Sequence, residues 1–206
     1  MRARNCRETA SFPKAIPLAR LSIQGDNNGM ATQPKSEELW MVQEYLRTSW
    51  SPDRELVNGR IEERNLGEKE HSLIQRYLTF LFMLRRDEWG VEVFPELRTQ
   101  TATSNFRVPD ILVVRSGESF ERYITRPPLI AVEILCPEDR LSAMKDKAAE
   151  YRRFGVENIW IIDPGQRIAY SYSGAGLEQV QAGELVVPET PIRVVLSELF
   201  AELDRA

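Results

Sequence analysis

Hydrophobic positions along the chain follow two periods, and the change from one to the other marks out the elements. Residues 1–36 follow neither. They mix Arg, Asn, Gly, Gln and Pro, with Gly25-Asp26-Asn27-Asn28-Gly29 among them, and read as a flexible leader. Its basic start has the look of a transit peptide, but Met30 is the preferred initiator over Met1. Over 37–47, Leu39, Val42, Gln43 and Leu46 have helical spacing, with Ser36 as the N-cap. Two short alternating runs then flank Asn58-Gly59, the signature of a tight β-hairpin. The strongest helix is 67–86, where Leu73, Ile74, Tyr77, Leu78, Phe80, Leu81 and Leu84 form a wide apolar arc.

Beyond Trp89-Gly90 the period shortens to two. Residues 91–98 alternate as one strand, with Pro95 placing it at an edge or bend. The turn residues Thr103-Ser104-Asn105 return it through the strand that carries Asp110. A polar stretch, 116–126, leads to Pro127-Pro128 and a second apolar run, 129–136, which ends at Pro137. A helix over 140–154 closes at Gly155. Residues 158–163 form a buried strand, Asp163-Pro164-Gly165-Gln166 a turn and 167–172 its return, followed by short strands near 178–181 and 185–187 and a closing helix over 196–203. The pattern is that of an α/β (α+β) chain with one domain, 37–206, after the leader.

Composition narrows the picture. At 206 residues and 42% hydrophobic, the chain supports one core of ordinary size. A formal net charge of −4 excludes a broadly basic nucleic-acid coat protein, though not a local basic patch. Cys6 and Cys136 lie too far apart in context for a disulfide or zinc framework, so a reducing, cytoplasmic setting is expected. No apolar run is long enough to span a bilayer, so no membrane partner is expected. His71 is the single histidine, which leaves little for a histidine zinc site or a Ser/His/Asp triad.

The candidate chemistry lies in the apolar runs around Asp110 and Glu133. Each carries one carboxylate in a strand of the kind that is covered on both faces. A bare charge there costs several kcal/mol unless it is paired or bound to a metal. Were the two strands neighbours, the carboxylates would converge on a cation, and hard oxygen ligands suit Mg2+ or Mn2+. Glu70 falls within the apolar arc of its helix, either as a further ligand or as a first-turn acid complementing the helix dipole. The Ile134 carbonyl is another candidate oxygen ligand. Lys147 falls on the inner arc of its helix between Tyr151 and Phe154. Either its stem packs while the ammonium reaches water, or its amine meets the two carboxylates. Cys136 reads as a small buried residue, not a nucleophile.

Pro109-Asp110 followed by Glu133-Ile134-Leu135 is similar to the core of the PD-(D/E)xK nuclease superfamily. More widely, Glu55-Leu56-Val57-Asn58-Gly59, Arg107-Val108-Pro109-Asp110, Val132 to Pro137, Asp146-Lys147, Tyr151, Gly155-Val156 and Trp160 to Pro164 together resemble the Uma-two family of restriction endonucleases. The resemblance implies a restriction-endonuclease-like mixed β-sheet flanked by helices, with Asp110 and Glu133 holding Mg2+ and a DNA phosphodiester as substrate. Leu135 stands in the usual lysine place, and by the same resemblance the lysine's role passes to Lys147. On this reading Arg98, Arg107, Arg140, Arg152 and Arg153 are candidate phosphate contacts, and cutting of both strands favours a homodimer. The alternatives are a catalytically inactive relative serving as a binding or assembly module, and a hydrolase of small phosphate esters.

Overall fold

The computed structural model describes residues 35–205 apart from 52 and 66; the expected leader lies outside the described residues, save its last two positions. Helix α1, Lys35–Arg47, begins before Ser36, which therefore lies inside the first turn and not at the cap. Strands β1, Arg54–Val57, and β2, Arg60–Glu63, pair antiparallel around Asn58 and Gly59. Both turn residues have positive φ, 49° and 72°. That is the conformation an Asn-Gly hairpin supplies at low cost.

Helix α2, Lys69–Leu84, is followed by the short α3, Arg86–Trp89, and by β3, Val91–Pro95. Here the expected single strand over 91–98 gives way to two. Glu96 takes a φ of +52°, and the chain leaves the sheet. It then forms β4, Thr99–Ala102, and β5, Asn105–Arg107, which pair with each other beside β1 in a separate sheet of order β2-β1-β5-β4. The turn chemistry at 103–105 therefore closes β4 onto β5. Strand β6, Ile111–Arg115, does return antiparallel along β3, with Val91 opposite Arg115 and Pro95 opposite Ile111. Since β3 is an edge strand, Pro95 removes no donor that an inner strand needs.

Strand β7, Ile130–Ile134, runs through helix α4, Leu141–Phe154, into the parallel strand β8, Asn158–Asp163. Strands β9, Ile168–Ser173, and β10, Gly176–Gln179, continue as hairpins, giving a mixed sheet of order β10-β9-β8-β7-β6-β3. A small hairpin of β11, Glu184–Val186, and β12, Arg193–Val195, precedes α5, Leu196–Ala201, and a closing 3-10 turn, Glu202–Asp204.

Both faces of the large sheet are covered. On one, Ile74, Leu78 and Phe82 of α2 and Leu199 and Phe200 of α5 pack with Ile111, Val113, Val132, Trp160 and Ile162. On the other, Ala148 and Tyr151 of α4 pack with Ala131, Ile159 and Ile161. Strands β7 and β8 are enclosed from both sides, which is why their sequences are continuous apolar runs. Helix α1 joins Tyr45 to Leu56 and Phe106 in a cluster of its own on the smaller sheet.

Helix α4 ends where expected. Gly155 has a φ of +110°, and its N–H donates to the carbonyls of Tyr151 and Arg152. A Cβ at this position would lie 2.8 Å from the Pro127 ring. Gly155→Ala should therefore cost about 1–3 kcal/mol in urea unfolding; an unmoved midpoint would show that neither the left-handed conformation nor the proline contact constrains the end of α4.

Candidate active site

The antiparallel register of β6 and β7 brings the two expected acids together. Ile111 lies opposite Val132, which brings Asp110, one residue before β6, close to Glu133 at the end of the sheet. They line a cleft of about 400 Å3, bounded by β1 and the end of β2, the start of α2 and the inner face of α4. Both carboxylates are buried, as are Glu55, His71, Lys147 and Glu150 beside them.

Every carboxylate in the cluster has donors. Asp110 Oδ2 accepts from the Ile134 N–H at 2.7 Å and lies 3.2 Å from His71 Nε2, and Oδ1 accepts from Arg64 Nη2 at 2.8 Å. Glu133 Oε1 accepts from the Tyr151 hydroxyl at 2.6 Å and Oε2 from Lys147 Nζ at 2.9 Å. The same ammonium lies 2.8 Å from Glu55 Oε1, which also accepts from the Val108 N–H. Arg107 joins Glu55, at 2.9 Å, to Glu150, whose other oxygen takes Thr101 and Asn105. The result is a line of alternating charge, Glu133, Lys147, Glu55, Arg107, Glu150, running from the large sheet to the smaller one along α4. Lys147, Glu150 and Tyr151 contribute because their i, i+3, i+4 spacing puts them on one face of that helix.

Protonation follows from burial and partners. Burial pushes the Glu133 carboxyl up to about 7, against the pull of Lys147 and with the neighbouring charges of Asp110 and Glu55 adding to the rise. Burial alone would lower the Lys147 amine, but the carboxylates around it outweigh that and keep it an ammonium. Glu55 is equally enclosed, yet Lys147 and Arg107 hold it down to about 2. For Asp110 the contacts with His71, Lys147 and Arg64 overcome burial and keep it below the ordinary range. Burial would push the His71 imidazole down, but its hydrogen bond to Asp110 raises it. The Cys136 thiol, pushed up to about 11 chiefly by burial, is no nucleophile at neutral pH.

The other expected site residues are more scattered. Glu70 is exposed, a correction to its expected inward direction, and the inner position of the first turn of α2 belongs to His71, 7% exposed. The mislocation arises because Phe80 and Leu84, counted into the apolar arc, are 61% and 64% exposed. The face that is buried runs through His71, Ile74, Leu78 and Phe82. Leu135, at the usual lysine place, packs against the α4 cluster. Arg98 is engaged with Asp53 and stacks 4.7 Å over the Tyr45 ring, and Arg107 is enclosed by the acids described above. Arg140, Arg152 and Arg153 are exposed on α4 or at its start. Sequence reasoning missed Glu55, Arg64 and Glu150. The one legible signal was Glu55-Leu56-Val57, where an acid stands directly before two apolar residues of a strand.

The donor set fits Mg2+ or Mn2+ in kind. Mg2+ is commonly bound by one or two carboxylates and keeps several waters, which Asp110, Glu133 and a solvent-open cleft can provide. Among the described residues no three His, Cys, Asp or Glu side chains are grouped as metal ligands. Any ligation would therefore rest on those two acids, backbone oxygen and water.

A mixed sheet with helices on both faces, and two neighbouring acids and a helix lysine gathered in one cleft, define the class of the protein as an α/β fold with a charged cleft. The model of the Uma2 family, described as "Putative restriction endonuclease", matches residues 42–203, and the chain belongs to that family. A crystal structure of a "putative nuclease belonging to DUF820" from Anabaena variabilis ATCC 29413 superposes with a TM-score of 0.68 at 20% identity, covering 79% of this chain and 98% of that one. At that identity the likeness shows the fold alone. A DrdV–DNA complex seen by cryo-electron microscopy has a TM-score of 0.37 at 16% identity, covering 62% of this chain and 11% of that one, and carries no argument. No curated protein matches the chain. No helix among the described residues is long and apolar enough to cross a membrane.

The outer end of the charge line gives a pH prediction. Burial would raise Glu150, but hydrogen bonds from Arg107, Thr101 and Asn105 hold it below its ordinary value. A carboxylate depressed in the folded state contributes stability above its unfolded pKa and loses it as the pH falls through the folded one. The melting temperature should thus drop on acidification below the ordinary glutamate range. Glu150→Gln should cost about 3 kcal/mol at neutral pH and flatten that dependence; unchanged melting in the variant would mean the Arg107 pair adds nothing.

Proposed function

We propose that this protein is a divalent-metal-dependent endonuclease that hydrolyses DNA phosphodiester bonds, with Asp110, Glu133 and the Ile134 carbonyl holding Mg2+. The observation that carries the reading is the Lys147 amine, delivered by α4 into the same cleft as Asp110 and bonded to Glu133 at 2.9 Å. It supplies from the helix the cation that Leu135 cannot supply from the strand. Bound there, the metal would polarise a phosphoryl oxygen and lower the pKa of a water.

The chain's own groups divide the remaining work. Lys147 stays protonated between its carboxylates, so its part is to stabilise negative charge building on the phosphate and not to remove a proton. Tyr151 and the Ile134 N–H orient Glu133 and Asp110, each from a packed element. Arg107, which lines the cleft, serves better as a support of its wall, and Arg98 is tied to Asp53 away from the cleft residues. Arg140, Arg152 and Arg153, exposed, are freer to meet a nucleic-acid backbone. One observation favours the inactive-module reading: Glu55, Asp110, Glu133 and Glu150 already face Arg64, Arg107 and Lys147, a pairing that also suits a purely structural cluster.

Plasmid cleavage separates the two. Supercoiled DNA should be cut in Mg2+ or Mn2+. Asp110→Ala and Lys147→Ala should each lose roughly 100-fold or more of that rate, and Arg193→Ala, exposed on β12, should keep it. Thermal melts of each variant exclude unfolding as the cause. Folded wild type that leaves DNA intact with either metal would establish the module reading instead.

A further inference from the structure

Three fixed cations serve the cluster, and one is held differently from the others. Lys147 is wedged between Glu55 and Glu133, at 2.8 and 2.9 Å, on the buried face of α4. Arg107 spans Glu55 and Glu150 from the end of β5. Arg64 comes from the segment that leaves β2 for α2. Its short charged contact is with Asp110 Oδ1 at 2.8 Å, and its second acid, Glu96, stands off at 3.7 Å. Glu62, Glu63 and Asn65, exposed neighbours in sequence, line the same cleft.

We propose that Arg64 is a phosphate-binding residue held in reserve: it occupies Asp110 while the cleft lacks a divalent cation and turns to a backbone phosphate of the nucleic acid once such a cation takes Asp110. The inference rests on the nuclease reading and adds to it the residue that couples metal to substrate. Arg64 can leave without disordering the ligand, because Asp110 Oδ2 keeps the Ile134 N–H and His71. Charge favours the exchange. Once Arg64 turns away, Asp110 loses its one short contact with a fixed cation, and a divalent cation restores the positive charge beside it. The guanidinium fork that binds a carboxylate binds a phosphate equally well, so the side chain needs a new direction and no new chemistry.

The test measures binding, not cleavage, on wild type, Arg64→Gln and Arg64→Lys, each checked by thermal melting. In Mn2+ titrations without DNA, Arg64→Gln should bind about five-fold or more tightly than wild type, since no guanidinium competes for Asp110 Oδ1. With Ca2+ in place of Mg2+, its affinity for a DNA duplex should fall about five- to ten-fold, with a salt dependence shallower by roughly one phosphate contact. Without any divalent cation the two should bind duplex alike. Arg64→Lys should shift both affinities in the same directions by less, and it carries the test should the Gln variant not fold. Unmoved Mn2+ affinity, or unmoved duplex affinity in Ca2+, overturns the assignment of Arg64 while wild-type binding of both ligands leaves the nuclease reading standing. Wild type that binds neither overturns both.

Discussion

The site is organised around one buried ammonium shared by two buried carboxylates. Lys147 touches Glu55 from the smaller sheet and Glu133 from the larger, so a single side chain fixes α4 against both. Taking these ions out of water costs several kcal/mol apiece, and only close contacts with further hydrogen bonds offset it. The structure supplies them: Tyr151 on the free oxygen of Glu133, the Val108 N–H and Arg107 on Glu55. Removing one member leaves another charged, enclosed and unmatched, so the cluster holds its geometry as a unit.

That rigidity bears on chemistry. A metal site of the kind proposed would work best with ligands that already point where they are needed, and here each acid is aimed by groups from regular elements. Asp110 is set by the register of β6 on β7 and by the amide of Ile134, and Glu133 by two residues one turn apart on α4. Arg64 is the exception, a cation delivered from a connecting segment onto Asp110. A cluster that is nearly neutral by itself, with one member on a tether, is suited to a resting state that a divalent cation can reset.

Much of this was legible in the chain, because the strongest signals are local. The Asn58-Gly59 hairpin, the doubly buried strands with their lone acids, and the Gly155 stop all follow from periods and backbone preferences that neighbours do not alter. Lys147 was legible as an anomaly, a charge on an apolar face. What was not legible depends on contacts between distant segments. Glu55 looked like an ordinary hairpin residue until β5 and α4 closed over it, Glu150 drew no notice, and Arg107, expected to meet phosphate, turned out to be tied to Glu150. The fault at Glu70 is different in kind: Phe80 and Leu84 are apolar yet exposed, so the arc drawn through all the apolar residues of α2 turned the helix too far and pointed Glu70 inward where His71 lies. The break at Glu96 was hidden for a similar reason, since alternation continues through a residue whose backbone leaves the sheet.

The most direct check on the central claim is a crystal of the wild-type protein grown with Mn2+ and measured for anomalous scattering. The account predicts a peak within ligand distance of both Asp110 and Glu133, with Lys147 still bonded in the same cleft. A peak at other acids, or none at saturating Mn2+, would contradict it.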